Sequence, residues 1–183
     1  MGQTLYFAYG SNINLGQMEY RCPDASVVGP VTLENYELLF RRGGFATIAP
    51  KEGETVHGLL WSLTRSCERS LDRYEGYPRF YDKRMVTVRD SEGRSLSVMV
   101  YIMDERFREP MLPTTSYYNG ILEGYRQNGL PAAALKKAWN HAVQEVHQET
   151  ERINATLAFA DRAKPQGGAT VRESKKGGKS YER

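Results

Sequence analysis

The sequence predicts an α+β fold, with most strands in the first half and most helices in the second. Three observations carry that expectation. Runs of β-branched and aromatic residues separated by turn chemistry fill residues 4–63, two more such runs lie within 81–103, and apolar residues recur at helical spacing beyond residue 116. A chain of 183 residues fits one domain and is long enough to bury a sizeable core.

Thr4–Tyr9 reads as the first strand, and Gly10-Ser11-Asn12 ends it in a turn where Asn12 or Ser11 can cap a short helix through Asn14–Glu19. Ser26–Phe40 is strand with a break near Leu33–Asn35. Ala46–Ala49 and Val56–Leu63 read as two further strands. Thr64 then caps a helix in which Cys67, Leu71 and Tyr74 share one face, and Gly76 stops it. Tyr81–Arg89 and Leu96–Met103 form a hairpin through Asp90–Arg94, with Gly93 in the turn. A helix over Ser116–Asn128 ends at Asn128-Gly129. Pro131 opens a long one in which Leu135, Trp139, Ala142, Val143 and Val146 form an apolar stripe. There is no internal repeat. From Lys164 onward Pro165, two Gly-Gly pairs and scarcely any apolar residues predict a flexible tail, so the expected division is a domain over 1–163 and a basic tail over 164–183.

The net charge of +3 resides in that tail, where six basic residues stand against two acidic ones; residues 1–163 carry 19 basic and 20 acidic residues, a net −1. The body therefore offers no basic face for nucleic acid. No stretch has the ~18 consecutive apolar residues of a membrane span, and the opening residues lack the pattern of a signal peptide, so a cytoplasmic setting without membrane association is expected. Two cysteines, Cys22 and Cys67, are too few for a disulfide framework and have no zinc spacing. His141 and His147 stand six apart, which does not bring them to one helical face, and His57 reads as a packing or solvated residue. Arg41-Arg42-Gly43-Gly44 lacks the remaining elements of a phosphate loop and reads as a solvated turn.

Two segments can carry chemistry. In Tyr6–Asn12 a turn after an aromatic strand aims backbone N–H groups at one point, which suits a carboxylate ligand; the plain alternative is a strand-to-helix turn with Gly10 for geometry and Ser11 as cap. In Ser70–Tyr81 the carboxylate of Glu75 lies near the negative end of its helix, where it is unfavourable by roughly 0.3–1 kcal/mol. Tyr74, Tyr77, Phe80 and Tyr81 flank it, and an aromatic wall raises a carboxyl pKa toward neutrality, as proton exchange requires. The alternatives there are a solvated glutamate beside a tyrosine-rich turn and a structural one paired with a neighbour such as Arg79 or Arg84.

YFAYGSN, GGFATIAPKEGETVHGLLWSL, SLDRYEG and YYNGILEGYRQNGLP, in that order and spacing, resemble γ-glutamylcyclotransferase, and EGYPRFY resembles the wider AIG2-like branch that includes γ-glutamylamine cyclotransferases. The resemblance covers nearly all of 1–163. It implies a small mixed β-barrel flanked by helices, no metal and no organic cofactor. It also implies release of 5-oxoproline from a γ-glutamyl amide, a small-molecule partner. Carried onto matching positions, it makes Glu75 the acid/base and Tyr9, Gly10, Ser11 and Asn12 the substrate-binding turn. It also places Tyr117 at the pocket, with Tyr118 as the alternative, and matches Tyr81 to a family tyrosine that either binds or merely walls the site. A homodimer is compatible with it. Removal of a γ-glutamyl cap from an amine or a metabolite, and a non-catalytic γ-glutamyl-binding module, remain as alternatives to the amino-acid amide.

Overall fold

The structure, a computed structural model, describes residues 3–163; the expected tail lies outside them. By compactness the chain divides into residues 1–149 and 150–183, and the first unit carries the fold. Five strands, β1 (Thr4–Ala8), β2 (Ser26–Arg41), β3 (Phe45–Leu63), β4 (Tyr81–Asp90) and β5 (Ser95–Met103), close into a barrel in the order β1-β3-β2-β4-β5. Four helices accompany them: α1 (Leu15–Arg21), α2 (Arg65–Tyr74), α3 (Thr115–Gln127) and α4 (Ala132–Ala163). All ladders are antiparallel except β1 with β5, where Tyr6 pairs with Met99 and closes the barrel. A mixed barrel with flanking helices matches the fold class expected from the sequence.

Two expected strands prove to be one. Ala46–Ala49 and Val56–Leu63 both belong to β3, because Pro50 still pairs with Tyr36 and Thr55 already pairs with Glu34. The polar residues between them oppose Asn35, whose φ of 59° marks an irregularity that accounts for the break expected near Leu33–Asn35. The Asn35 side chain accepts the Gly53 N–H at 3.1 Å, which satisfies the backbone there.

The core is one apolar cluster running through the barrel and onto the helices. It includes Phe7, Phe40, Leu59, Leu60, Leu71, Val98, Tyr101, Ile121, Tyr125 and Leu135. At ~1.5–3 kcal/mol for each large apolar side chain removed from water, burial of this cluster dominates the forces that hold the barrel closed. On α4 the buried stripe is Leu135, Ala138 and Ala142, with Trp139 packed edge-on against Tyr118 at 4.9 Å; Val143, at the flank of the stripe, is exposed. Helix α3 crosses the segment after β1 so closely that a Cβ at Gly124 would lie 2.7 Å from the Asn14 nitrogen. Only glycine allows that approach, and it sets α3 against the turn that follows β1.

Local signals place α2 as expected: the Thr64 hydroxyl accepts the Cys67 N–H at 3.2 Å, and Glu75 is the C-cap. Thr114 caps α3 in the same manner. At α1 the expectation is corrected. Asn14, not Asn12 or Ser11, is the cap, its Oδ1 accepting the Gln17 N–H at 3.1 Å, because Ser11–Ile13 already form a separate 3-10 turn.

Candidate active site

A cavity of about 210 Å³ opens where β1 ends, β3 and β4 begin, and α2 and α3 present their termini. That is smaller than the ~300–1,000 Å³ of pockets for drug-sized ligands, and it suits a metabolite of amino-acid dimensions. Its walls are Tyr6, Tyr9, Gly10, Ser11, Asn12, Phe45, Ala46, Tyr74, Glu75, Phe80, Tyr81, Tyr101 and Tyr117. The seven residues singled out in the sequence, Tyr9, Gly10, Ser11, Asn12, Glu75, Tyr81 and Tyr117, thus meet at one place from four separate stretches of chain. Tyr118 does not join them; it packs between Phe40 and Trp139 on the other side of α3. Tyr77 is also absent from the walls and is exposed, so the aromatic lining beside Glu75 comes from Tyr74, Phe80 and Tyr81 together with Tyr6 and Tyr101.

Glu75 is the carboxylate of the cavity. Its N–H closes α2 onto the Leu71 carbonyl at 2.8 Å, and its Oε1 accepts a hydrogen bond from the Asn12 amide at 2.8 Å. Desolvation pushes its pKa up to about 7; the Asn12 bond and the positive charge of Arg21 oppose the rise without cancelling it. The carboxyl therefore exchanges its proton near neutral pH. Neither Arg79 nor Arg84 pairs with it among the described residues, and Arg84 instead binds Asp82 at 3.0 Å.

The tyrosines serve different ends. Tyr9 donates its phenolic hydrogen to the Tyr101 carbonyl at 2.6 Å, and Tyr81 donates to the Ala46 carbonyl at 2.7 Å, so both phenols are committed to holding strands in place. Tyr117 accepts the Ala46 N–H at 3.2 Å, which leaves its own proton available to a ligand. Burial raises the pKa of all three above that of an ordinary phenol, which keeps them protonated. Tyr101 donates to Asp72 at 2.6 Å, and Lys83 bridges Asp72 and Glu68 at 2.8 and 2.5 Å, so an ionic cluster anchors that wall.

In the turn after β1, Ile13 and Asn14 donate their N–H groups to Gly10 and Ser11. The N–H groups of Ser11 and Asn12 precede the first of these bonds and are not used by the turn. The Trp61 indole donates to the Asn12 carbonyl at 3.0 Å and fixes the peptide from behind. A Cβ at Gly10 would meet Ala46 Cβ at 3.2 Å and the Tyr117 hydroxyl at 3.5 Å, so crowding there calls for glycine. At the mouth, Phe45 and Phe80 stand edge to face at 6.0 Å, and Phe80 continues to Phe107 at 5.0 Å.

Sequence reasoning missed Tyr6, Phe45, Ala46 and Tyr101 as lining residues, and Arg21 as a neighbour. Tyr6 lay inside the first quoted motif, two residues from a buried Ala8 on the same strand, and Phe45 and Ala46 lay inside the second; Tyr101 and Arg21 have no local signal. Among the described residues no group of three His, Cys, Asp or Glu could hold a metal ion, and no helix is long and apolar enough to cross a membrane.

Comparison with known proteins agrees with this geometry. Residues 6–119 match the family described as "Gamma-glutamyl cyclotransferase, AIG2-like". A γ-glutamylcyclotransferase from Bos taurus is 33% identical over 144 residues, covering 73% of this chain and 76% of the relative. The one from Homo sapiens shows the same identity and coverage. A solved structure described as "Gamma-glutamyl cyclotransferase" superposes with a TM-score of 0.68 at 30% identity, over 75% of this chain and 86% of that one. The chain therefore belongs to the AIG2-like γ-glutamyl cyclotransferase family of enzymes.

Proposed function

We propose that this chain releases 5-oxoproline from the γ-glutamyl amide of an amino acid, with Glu75 as the single acid/base. The observation that supports this reading is a carboxyl titrating at about 7, hydrogen-bonded to the turn that follows β1, in an aromatic cavity of metabolite size. At neutral pH the substrate's α-amine is an ammonium and cannot attack. Glu75 removes one proton, the amine attacks the γ-carbonyl carbon, and a five-membered lactam closes. The proton first removed passes to solvent; Glu75 then takes the second proton from the ring nitrogen, cationic after the attack, and gives it to the leaving nitrogen as the bond from the carbon to that nitrogen breaks. Protons and electrons balance without a covalent enzyme intermediate.

The N–H groups of Ser11 and Asn12 that the turn does not use and the phenolic proton of Tyr117 are the donors for the ligand's anionic and carbonyl oxygens. Because the attack is intramolecular, holding the γ-glutamyl chain folded supplies much of the acceleration; effective molarities of ~10⁵–10⁸ M are reached when reacting atoms are held together. A cytosolic setting goes with this reading, supported by two buried cysteines that are both free. The test is to incubate the protein with a panel of γ-glutamyl amino acids and γ-glutamylamines and to measure 5-oxoproline. Product from the amino-acid amides is expected, product from the amines alone transfers the assignment to the γ-glutamylamine branch, and no product from any member contradicts the reading.

A further inference from the structure

Arg21, the last residue of α1, does not line the cavity, yet its side chain is spread across the back of it. One guanidinium nitrogen donates to the Asn12 amide oxygen at 2.6 Å and to the Ser11 hydroxyl at 3.2 Å; the other donates to Gln17 Oε1 at 2.7 Å. The plane lies over the Tyr74 ring, 3.8 Å from its centroid, and Ser70 of α2 donates to the Arg21 carbonyl at 2.8 Å. The group is thus fixed from α1, from α2 and from the turn. Asn12, at the other end of the contact, donates to Glu75 at 2.8 Å and to the Tyr6 hydroxyl at 2.9 Å.

We propose that Arg21 is a positioning residue for the reaction: by binding the Asn12 amide oxygen it obliges the amide NH₂ to face Glu75, and by holding Ser11 as well it sets the turn that receives the substrate. The reason is chemical. A guanidinium has donors only, so the amide end beside it must be the oxygen. If the amide were reversed, its NH₂ would meet a donor and its oxygen would meet the Glu75 carboxylate, losing two hydrogen bonds and adding a repulsion. The short charge-assisted bond and the stacking on Tyr74 make one orientation the only satisfied one. Among the described residues Arg21 is also the charged group whose field acts on Glu75; its other neighbours there are Asn12 and the phenols of Tyr6, Tyr9, Tyr81, Tyr101 and Tyr117. The inference rests on the assignment of Glu75 as acid/base.

Its test is a double-mutant cycle with a pH profile. Arg21→Gln removes the charge and can itself accept a hydrogen bond, so the amide loses its imposed orientation; turnover is expected to fall roughly 100-fold, the scale of losing a near-attack geometry. The acid limb of the rate profile should move to higher pH, because the cation that favours the ionised carboxyl is gone. Arg21→Lys keeps the charge without the planar fork and should hold the acid limb in place while losing about 10-fold in rate. In an Asn12→Ala background the Arg21→Gln loss should shrink well below its wild-type size, to what the Ser11 contact and the lost charge account for, since the amide that Arg21 orients is absent. Additive losses in the cycle, or an unmoved acid limb with only a lowered melting temperature, would overturn the proposal; if Arg21→Gln does not fold, a shifted limb in Arg21→Lys does the same. Glu75→Gln measured alongside separates the two levels: retained turnover there refutes the acid/base assignment, whereas its loss with an additive cycle refutes only the role of Arg21.

Discussion

Glu75→Gln isolates the thermodynamic consequence of a desolvated carboxyl. The pKa rises from the 4.5 of an ordinary carboxyl to about 7, which corresponds to about 3 kcal/mol of folding free energy lost once the group is ionised. The direction follows from proton binding. Between pH 4.5 and 7 the folded protein retains a proton that the unfolded chain releases, so stability falls as pH rises through that window and levels off above it. Glutamine keeps the shape and a hydrogen-bonding end but does not ionise. The variant should therefore match the wild type near pH 4.5 and exceed it by up to about 3 kcal/mol at pH 8, less whatever the Asn12 bond loses. At ~2–4 °C per kcal/mol for a chain of this size, the difference reads as a rise of several degrees in Tm. Paired thermal or urea unfolding curves at several pH values measure it. A variant that is less stable than the wild type at pH 8, or a difference that does not change with pH, would refute the claim that burial rather than ion pairing governs this residue.

Other consequences are simpler to state. The kcat/KM profile should show an acid limb near pH 7, the value at which Glu75 loses its proton, and the limb should be absent from Glu75→Gln; a limb near 4.5 would mean the carboxyl is solvated. Gly10→Val, crowding Ala46 and Tyr117, should weaken substrate binding by 10-fold or more in a calorimetric titration, whereas Ser11→Ala should lose a factor of a few, about one hydrogen bond; the reverse ranking counts against the backbone as the ligand's cradle. Gly124→Ala puts a methyl group 2.7 Å from backbone and should lower stability by ~1–3 kcal/mol, with unchanged Tm showing that α3 can yield.

What was legible in the sequence depended on how local the cause was. Helix α2 could be read because Thr64, Leu71 and Gly76 act within a few residues of one another, and the β4–β5 hairpin because its turn lies between its strands. The continuity of β3 could not. Lys51–Glu54 look like loop on their own and are strand because β2 lies opposite, with Glu37 and Lys137 pairing Lys51 and Glu54. Barrel closure joins Tyr6 to Met99 across more than 90 residues, a pairing with no local signature, and it was reached only through the family resemblance. At the site, aromatic residues near Glu75 in sequence correctly suggested a desolvated carboxyl. The actual partner, Asn12, lies 63 positions away, and Tyr77 shows that a neighbour in sequence can still face solvent. Arg21 was invisible because its role is defined by what the turn and α2 bring to it.

The central claim is that Glu75 moves the proton, and 5-oxoproline release by Glu75→Gln tests it most directly. With a γ-glutamyl amino acid that the wild type turns over, the variant should bind substrate with similar affinity by calorimetry while its turnover falls by ~10²–10⁴-fold, the range of lost general acid–base catalysis. Turnover within a few-fold of the wild type, from a folded variant with intact binding, would contradict the account.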